Sequence, residues 1–412
     1  GIPDFGKLIK MYKAVTKAIA SGDIEACGVV EEGGAVCSVL KSCMGNMTGT
    51  TWARLTPDMY APAFGDLIVL AKNRTKLRSF NPEYIAKLNG THTVKVVEGG
   101  ISVKMSEICK AFTGTLENVF PSVAPASGEV KNLICCAVKK SGSVKLAKPR
   151  VLIPVFPGTN CEYDTARAFE RAGAIAKTLI IRNQSAADIE ESAKELIKAL
   201  EQSQMIAFPG GFSGGDEPDG SGKFIATTFR NPRVAEAVMK LLYERDGLAL
   251  GICNGFQALI KLGLVPFGDI REQTEGAPTL TFNNISRHVS TITRIRVATN
   301  KSPWLYGVKV DDVFNVPVSH GEGKFVASPE QLRAIIENGQ VATQYVDMQN
   351  NATMLSPFNP NGSMMAIEGI ISPDGRVLGK MGHSERRDDD LYKNVPGEYD
   401  MKIFESGVNY FA

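Results

Sequence analysis

The chain has 412 residues, a formal net charge of +2, and 43% hydrophobic and 22% charged residues. That length accommodates two or three domains with sizeable cores, and the near-balanced charge removes the bulk electrostatic case for nucleic acid or a membrane surface as partner. No apolar run approaches the ~20 residues of a membrane helix, no secretory signal is visible, and eight cysteines without C-x-x-C spacing argue against a zinc site or a disulfide scaffold and fit a reducing cytoplasm.

The elements follow in chain order. Leu8, Ile9, Tyr12, Val15 and Ile19 share one face of a helix over 5–20. Gly33-Gly34 turns the chain into a second helix carrying Val36, Val39, Leu40 and Met44. Residues 67–70 and 92–97 read as strands, and Ser106 is expected to cap a helix running to Phe112. Residues 122–142 read as a Pro/Ser/Gly/Lys linker with an apolar island at 133–138, and Pro149 opens the second part. The expected domains are therefore 1–121, a linker over 122–148, and 149–412.

From there strands and helices alternate: strand 151–155, helix 163–172, strand 178–181, helix 186–199 opened by Ser185, strand 205–208, a helix near 233–243 and strand 248–252. This order predicts an α/β fold, a doubly wound, mainly parallel sheet with active loops at the C-terminal ends of its strands. Residues 281–318 switch to alternation (Ile292, Ile295, Val297), then a proline-bounded strand, and read as antiparallel additions. No internal repeat stands out, and no G-x-x-x-x-G-K-[ST] phosphate loop is present.

Three loops carry chemistry. Strand 248–252 runs into Gly251-Ile252-Cys253-Asn254-Gly255, a cysteine version of the G-x-S-x-G nucleophile elbow. The helix starting there aims N–H groups and a positive dipole end at the sulfur, which favours thiolate. After the turn Pro373-Asp374-Gly375 a short strand delivers His383-Ser384-Glu385. A thiol nucleophile needs a base, and the base needs a group that fixes its tautomer. The glycine-rich run from Pro209 to Asp216 follows strand 205–208 and can turn N–H groups toward an oxyanion. Taken singly, a buried cysteine, an exposed polar loop and a plain glycine loop would account for them.

These residues, with Phe156-Pro157-Gly158-Thr159-Asn160-Cys161-Glu162, His320-Gly321-Glu322-Gly323, Gln344-Tyr345-Val346-Asp347 and Asn359-Pro360-Asn361-Gly362-Ser363, resemble the class I (triad) glutamine amidotransferases. Within these they are more closely similar to the glutaminase domain of the large, single-chain phosphoribosylformylglycinamidine synthase family. Residues before about 121 resemble the C-terminal part of that family's aminoimidazole-ribonucleotide-synthetase-like domain, an α+β partial domain, with Glu107-Ile108 and the run from Thr115 to Pro121 as its closing helix and exit. The absence of an initiator methionine at Gly1, together with this half-domain, leads to the expectation of a C-terminal fragment.

The resemblance implies glutamine hydrolysis in de novo purine biosynthesis through a Cys253 thioester, with His383 as base and Glu385 orienting it. Ammonia would pass through a tunnel to a distant site for ATP-dependent amidation of formylglycinamide ribonucleotide. Gly210 or Gly211 and the Asn254 N–H are the expected oxyanion donors. Gln257, Arg287 and His320 are candidates for binding L-glutamine, although Gln257 also fits a helix-surface residue and His320 a satisfied loop histidine. No metal or cofactor is expected in these residues. ATP and Mg2+ belong to the full-length synthase, and formylglycinamide ribonucleotide and ATP would be met through the missing N-terminal portion. Three rival readings are Cys161 as nucleophile, a non-catalytic interaction module, and a cysteine peptidase or hydrolase on the same sheet. Cys161 lacks flanking glycines, and its simpler reading is structural.

Overall fold

The structure is a computed structural model that describes residues 3–72, 81–126, 128, 130–213, 222–388, 391–392 and 395–412. The chain divides into two compact units, Gly1–Ser122 and Val123–Ala412.

The first unit contains α1 (Phe5–Ala20), β1 (Ala26–Val29), α2 (Gly34–Met44), β2 (Gly49–Trp52), β3 (Leu67–Leu70), β4 (Ala86–Asn89), β5 (Thr93–Val96), β6 (Ile101–Lys104) and α3 (Met105–Gly114). Strands run β4-β2-β5-β6 in one sheet, and β1 pairs antiparallel with β3. Trp52 is fully buried among Val36, Cys43, Val94, Val96 and Met105, its indole N–H donating to the Thr50 hydroxyl. The helix start at α2 depends on Gly34, since a Cβ there would lie 2.3 Å from the Met59 carbonyl oxygen. The expected cap at Ser106 is corrected: α3 begins at Met105, with Lys104 in the N-cap position, so Ser106 sits inside the first turn.

The second unit contains β7 (Arg150–Val155), α4 (Glu162–Arg171), β8 (Ile175–Ile180), α5 (Ala186–Glu201), β9 (Met205–Phe208), α6 (Lys223–Phe229), α7 (Pro232–Met239), β10 (Leu248–Ile252) and α8 (Asn254–Leu262). There follow β11 (Thr279–Phe282), β12 (Val289–Val297), β13 (Val313–His320), β14 (Glu322–Val326), α9 (Pro329–Glu337), β15 (Val341–Tyr345), β16 (Ile367–Ile371), β17 (Val377–Lys380) and α10 (Ile403–Asn409). Among the described residues a nine-stranded sheet runs β13-β12-β15-β16-β17-β10-β9-β7-β8. The strands from β17 to β8 are mutually parallel, and β16, β15, β12 and β13 add on antiparallel.

Local chemistry explains the boundaries. The Ser185 hydroxyl accepts from the Asp188 N–H and opens α5 as expected. β9 and β10 are buried along their whole length, which is why they read as continuous apolar runs rather than alternating ones, and β17 is buried throughout as well although it ends in Lys380. The parallel order places the loops after β9, β10 and β17 side by side at one sheet edge, with Gly251 beside Phe208 and Ile252 beside Lys380.

Much of the stretch read as a linker lies along the second unit instead. Leu133 is buried in that unit's core. Its N–H donates to the Gln344 side chain at 2.8 Å, and its carbonyl accepts from Arg296 at 2.9 Å. Further along, the Cys135 N–H donates to Ala298 and the Leu146 N–H to Phe411. The backbone groups of a strand-free segment are satisfied by buried side chains and sheet edges, a pairing that composition does not reveal.

Candidate active site

Cys253 stands between β10 and α8 with φ 53° and ψ −107°. An L-residue holds such a backbone only where its surroundings over-determine it. Here the Cys253 N–H donates to the Lys380 carbonyl at 2.9 Å, and its own carbonyl accepts from the Gln257 N–H at 3.0 Å. The flanking glycines are required by space. A Cβ on Gly255 would lie 2.0 Å from the Phe208 carbonyl oxygen, and one on Gly251 would lie 2.7 Å from the Gly255 carbonyl oxygen. Cys253 is 5% exposed, and its Sγ lies 3.6 Å from the Ser319 carbonyl oxygen.

From the loop after β17, His383 Nδ1 meets Glu385 Oε1 at 2.6 Å. Both side chains are buried, which removes the exposed-loop alternative. Burial pulls the His383 pKa down. The Glu385 carboxylate, followed by Cys253 and Cys161, outweighs that effect and holds the imidazole well above its ordinary value. For Glu385, burial pushes upward, but the charge and hydrogen bond of His383 bring the carboxyl below its ordinary range. His383 Nε2 is buried without a hydrogen-bond partner among the described residues, which leaves the ring nitrogen opposite Glu385 uncommitted.

The loop after β9 closes on the same ring. A Cβ on Gly210 would fall 2.7 Å from His383 Cε1 and 3.1 Å from Cys161 Sγ. Gly211, at φ +147°, lies against Thr159 and Asn160. Gly214, Gly215 and Asp216, the rest of the expected oxyanion loop, lie outside the described residues.

Asn254 is buried and ties the elbow to both neighbours: its Oδ1 accepts from the Ser213 N–H at 3.2 Å, and its Nδ2 donates to Gln257 Oε1 at 2.9 Å. Gln257 is not a helix-surface residue. It is buried, and its Nε2 donates to the Glu322 carbonyl at 2.6 Å. His320, at the end of β13, is buried with Nδ1 3.2 Å from Asn283 Oδ1, while Nε2 has no partner among the described residues. Burial, then the nearby His383 and His288, drive the His320 pKa down to about 3, so it is neutral at pH 7. Arg287 is half-buried, and its carbonyl accepts from Asn283 Nδ2 in the turn leading into β12.

Sequence reasoning missed how close Cys161 comes. It stands at the start of α4, buried, with Sγ 3.9 Å from His383 Nδ1 and 3.1 Å from an Arg386 guanidinium nitrogen. The signal available was its place after β7, because all parallel strands of such a sheet open toward one edge. Its ring contact is with Nδ1, the nitrogen already engaged by Glu385. Cys161, His383 and Glu385 also bring sulfur, nitrogen and oxygen atoms within 4.8 Å of one another, a set of metal-ligand types. The 2.6 Å separation of His383 Nδ1 and Glu385 Oε1 is that of a charge-assisted hydrogen bond rather than of two ligands spread around an ion.

A buried thiol at a helix N-terminus, beside a buried His–Glu pair in the loop after the adjacent parallel strand, can perform acyl transfer at a carbonyl carbon. Comparison with known proteins gives the same direction. Residues 148–411 match the model of the CobB/CobQ-like glutamine amidotransferase domain family. The chain is 34% identical over 257 residues to phosphoribosylformylglycinamidine synthase subunit PurQ of Methanococcus maripaludis strain C7, covering 62% of this chain and 87% of the relative. It is 34% identical over 267 residues to the subunit of the same name from Chlorobaculum tepidum, covering 65% of this chain and 99% of the relative. Among solved structures, PurLQS from Thermotoga maritima is similar at 26% identity and a TM-score of 0.46, covering 64% of this chain and 100% of that one.

Proposed function

We propose, on the premise that this chain belongs to the CobB/CobQ-like glutamine amidotransferase domain family, that it is the glutaminase part of a phosphoribosylformylglycinamidine synthase in purine biosynthesis. The observation that carries this reading is the join of two strained or buried features: Cys253 at φ 53° heading α8, and His383 locked to Glu385 at 2.6 Å on the neighbouring strand's loop.

The chemistry proceeds in two halves. His383 Nε2 takes the Cys253 thiol proton, and the sulfur attacks the side-chain amide carbon of L-glutamine. The Asn254 N–H at the start of α8 and an N–H of Gly210 or Gly211 hold the developing oxyanion. His383 then returns the proton to the leaving nitrogen, ammonia departs, and a thioester remains. Water, activated by the same imidazole, hydrolyses it to glutamate and restores the thiol. Glu385 keeps Nδ1 protonated and stabilises the cationic ring.

The remaining candidates take supporting roles. His320 is neutral, so it offers a hydrogen bond to glutamine rather than acting as a charged acid. Gln257 holds Asn254 and β14 in register around the substrate, and Arg287 is a candidate for binding the glutamine from the turn before β12. We assign the first unit to the closing part of a synthetase-like domain in a single-chain synthase, on the resemblance of residues 1–121. In such an enzyme ammonia amidates formylglycinamide ribonucleotide at an ATP- and Mg2+-dependent site elsewhere in the polypeptide. A cytoplasmic setting fits this pathway. Among the described residues no helix is long and apolar enough to cross a membrane.

The test is glutamine hydrolysis by Cys253→Ala and Cys161→Ala. The first variant should lose all measurable hydrolysis, whereas the second should keep Cys253-dependent turnover. Activity that survives Cys253→Ala and vanishes with Cys161→Ala would transfer the nucleophile's role.

A further inference from the structure

A buried ion pair lies next to the triad and plays no part in the chemistry above. Lys380 Nζ and Glu368 Oε1 are 3.2 Å apart, with side chains 1% and 0% exposed. Desolvating two charges is costly, and a well-packed apolar pair in the same space is often as stable or more stable. Stability alone therefore does not explain the pair, whereas its contacts point to the position of His383.

Both charges act on Gly382, the residue before His383. The Gly382 N–H donates to Glu368 Oε1 at 2.6 Å, and Lys380 Nζ donates to the Gly382 carbonyl at 2.7 Å. The peptide linking Gly382 to His383 is held at its other end too, where the His383 N–H donates to the Pro317 carbonyl at 2.8 Å. Glu368 is fixed in turn by the Thr343 hydroxyl. There is no slack around the glycine, because a Cβ would fall 2.5 Å from Val316 Cγ2 and 2.9 Å from Glu368 Oε1. Lys380 also reaches the nucleophile, since its own carbonyl accepts the Cys253 N–H at 2.9 Å. One residue thus holds the backbone of Cys253 with its main chain and the peptide of His383 with its side chain.

We propose that Lys380 and Glu368 are positioning residues for glutamine hydrolysis, clamping Gly382 so that His383 is held at working distance from Cys253. The inference rests on the triad reading above. A displacement of ~1 Å between reacting groups can cost on the order of 100-fold in rate, so the clamp acts on kcat and leaves glutamine binding largely alone.

The test compares Lys380→Met/Glu368→Leu with wild type in glutamine hydrolysis and in iodoacetamide labelling of Cys253, read by mass spectrometry of its peptide. Removing the pair whole leaves no orphan charge but takes the partner from the Gly382 N–H and the Thr343 hydroxyl, so the double variant should fold with a melting temperature modestly below wild type. Its kcat should fall roughly 30- to 100-fold with KM changed less than about threefold, and labelling of Cys253 should slow about tenfold by the same loss of geometry. A folded double variant whose kcat and labelling rate stay within about twofold of wild type, well inside that positional effect, overturns the clamp. If the double variant does not fold, Thr343→Val decides. It frees Glu368 from one hydrogen bond and should lower kcat roughly two- to tenfold at unchanged KM, and an unchanged kcat overturns the clamp. A wild-type chain that hydrolyses no glutamine and presents an unreactive Cys253 sinks the triad reading and the clamp with it. Active wild type with active variants sinks the clamp alone.

Discussion

Replacing Cys253 by glycine should leave the second unit more stable than replacing it by alanine, the reverse of the usual order. At an ordinary position glycine lies about 0.5–1 kcal/mol below alanine because it loses more freedom on folding. Cys253 is held at φ 53° and ψ −107° by hydrogen bonds at both of its peptide groups, and alanine inherits that backbone with its Cβ. Such a conformation costs an L-residue on the order of 1–3 kcal/mol, which glycine does not incur. The difference leaves Cys253→Gly above Cys253→Ala by about 1 kcal/mol. The chain's two tryptophans fall one in each unit, and Trp304 is fully buried in the second. Urea unfolding followed on Trp304 fluorescence, in a Trp52→Phe background common to both variants, reads the relevant unit. A glycine variant that unfolds at lower urea than the alanine variant would show that the elbow stores no strain and would refute the reasoning.

Other outcomes follow from the same geometry. His383→Ala should cost as much activity as Cys253→Ala, because members of such a unit are not additive, and Glu385→Gln should cost less because it orients rather than transfers the proton; steady-state rates of the three decide it. Ring-proton NMR should find His320 neutral throughout neutral and mildly acidic pH, consistent with a pKa of about 3, and His383 titrating above the ordinary imidazole range. The signs for stability differ accordingly. The His383 contribution is complete below the ordinary imidazole pKa and disappears as pH rises through its raised value, whereas His320 weakens the fold as pH falls from the ordinary value toward 3. In an intact synthase Cys253→Ala should abolish synthesis with glutamine and leave synthesis with ammonium working, and loss of both would contradict separate sites for the two half-reactions.

The parts of the site that could be read from residues were those encoded by short-range sterics. Gly251 and Gly255 announced the elbow because the Phe208 and Gly255 carbonyls leave no room for a Cβ. Ser185 announced α5 because its hydroxyl caps within three residues. The order of glycine loop, cysteine and His-x-Glu carried over directly to the parallel strands β9, β10 and β17. Contacts between distant positions were not legible. Glu368 lies on β16, whose fully apolar neighbours gave no reason to expect a carboxylate aimed at Gly382. Cys161 was read as structural because nothing local ties it to residue 383, more than two hundred positions away. The strap around Leu133 looked like linker because its partners, Gln344 and Arg296, are buried polar side chains from other strands.

Covalent labelling tests the central claim most directly. A diazoketone analogue of glutamine, incubated with the chain and followed by peptide mass spectrometry, should place a single adduct on the peptide containing Cys253, and excess glutamine should suppress it. An adduct on Cys161, or labelling of Cys253 that glutamine does not suppress, would contradict the assignment of this elbow as the glutaminase nucleophile.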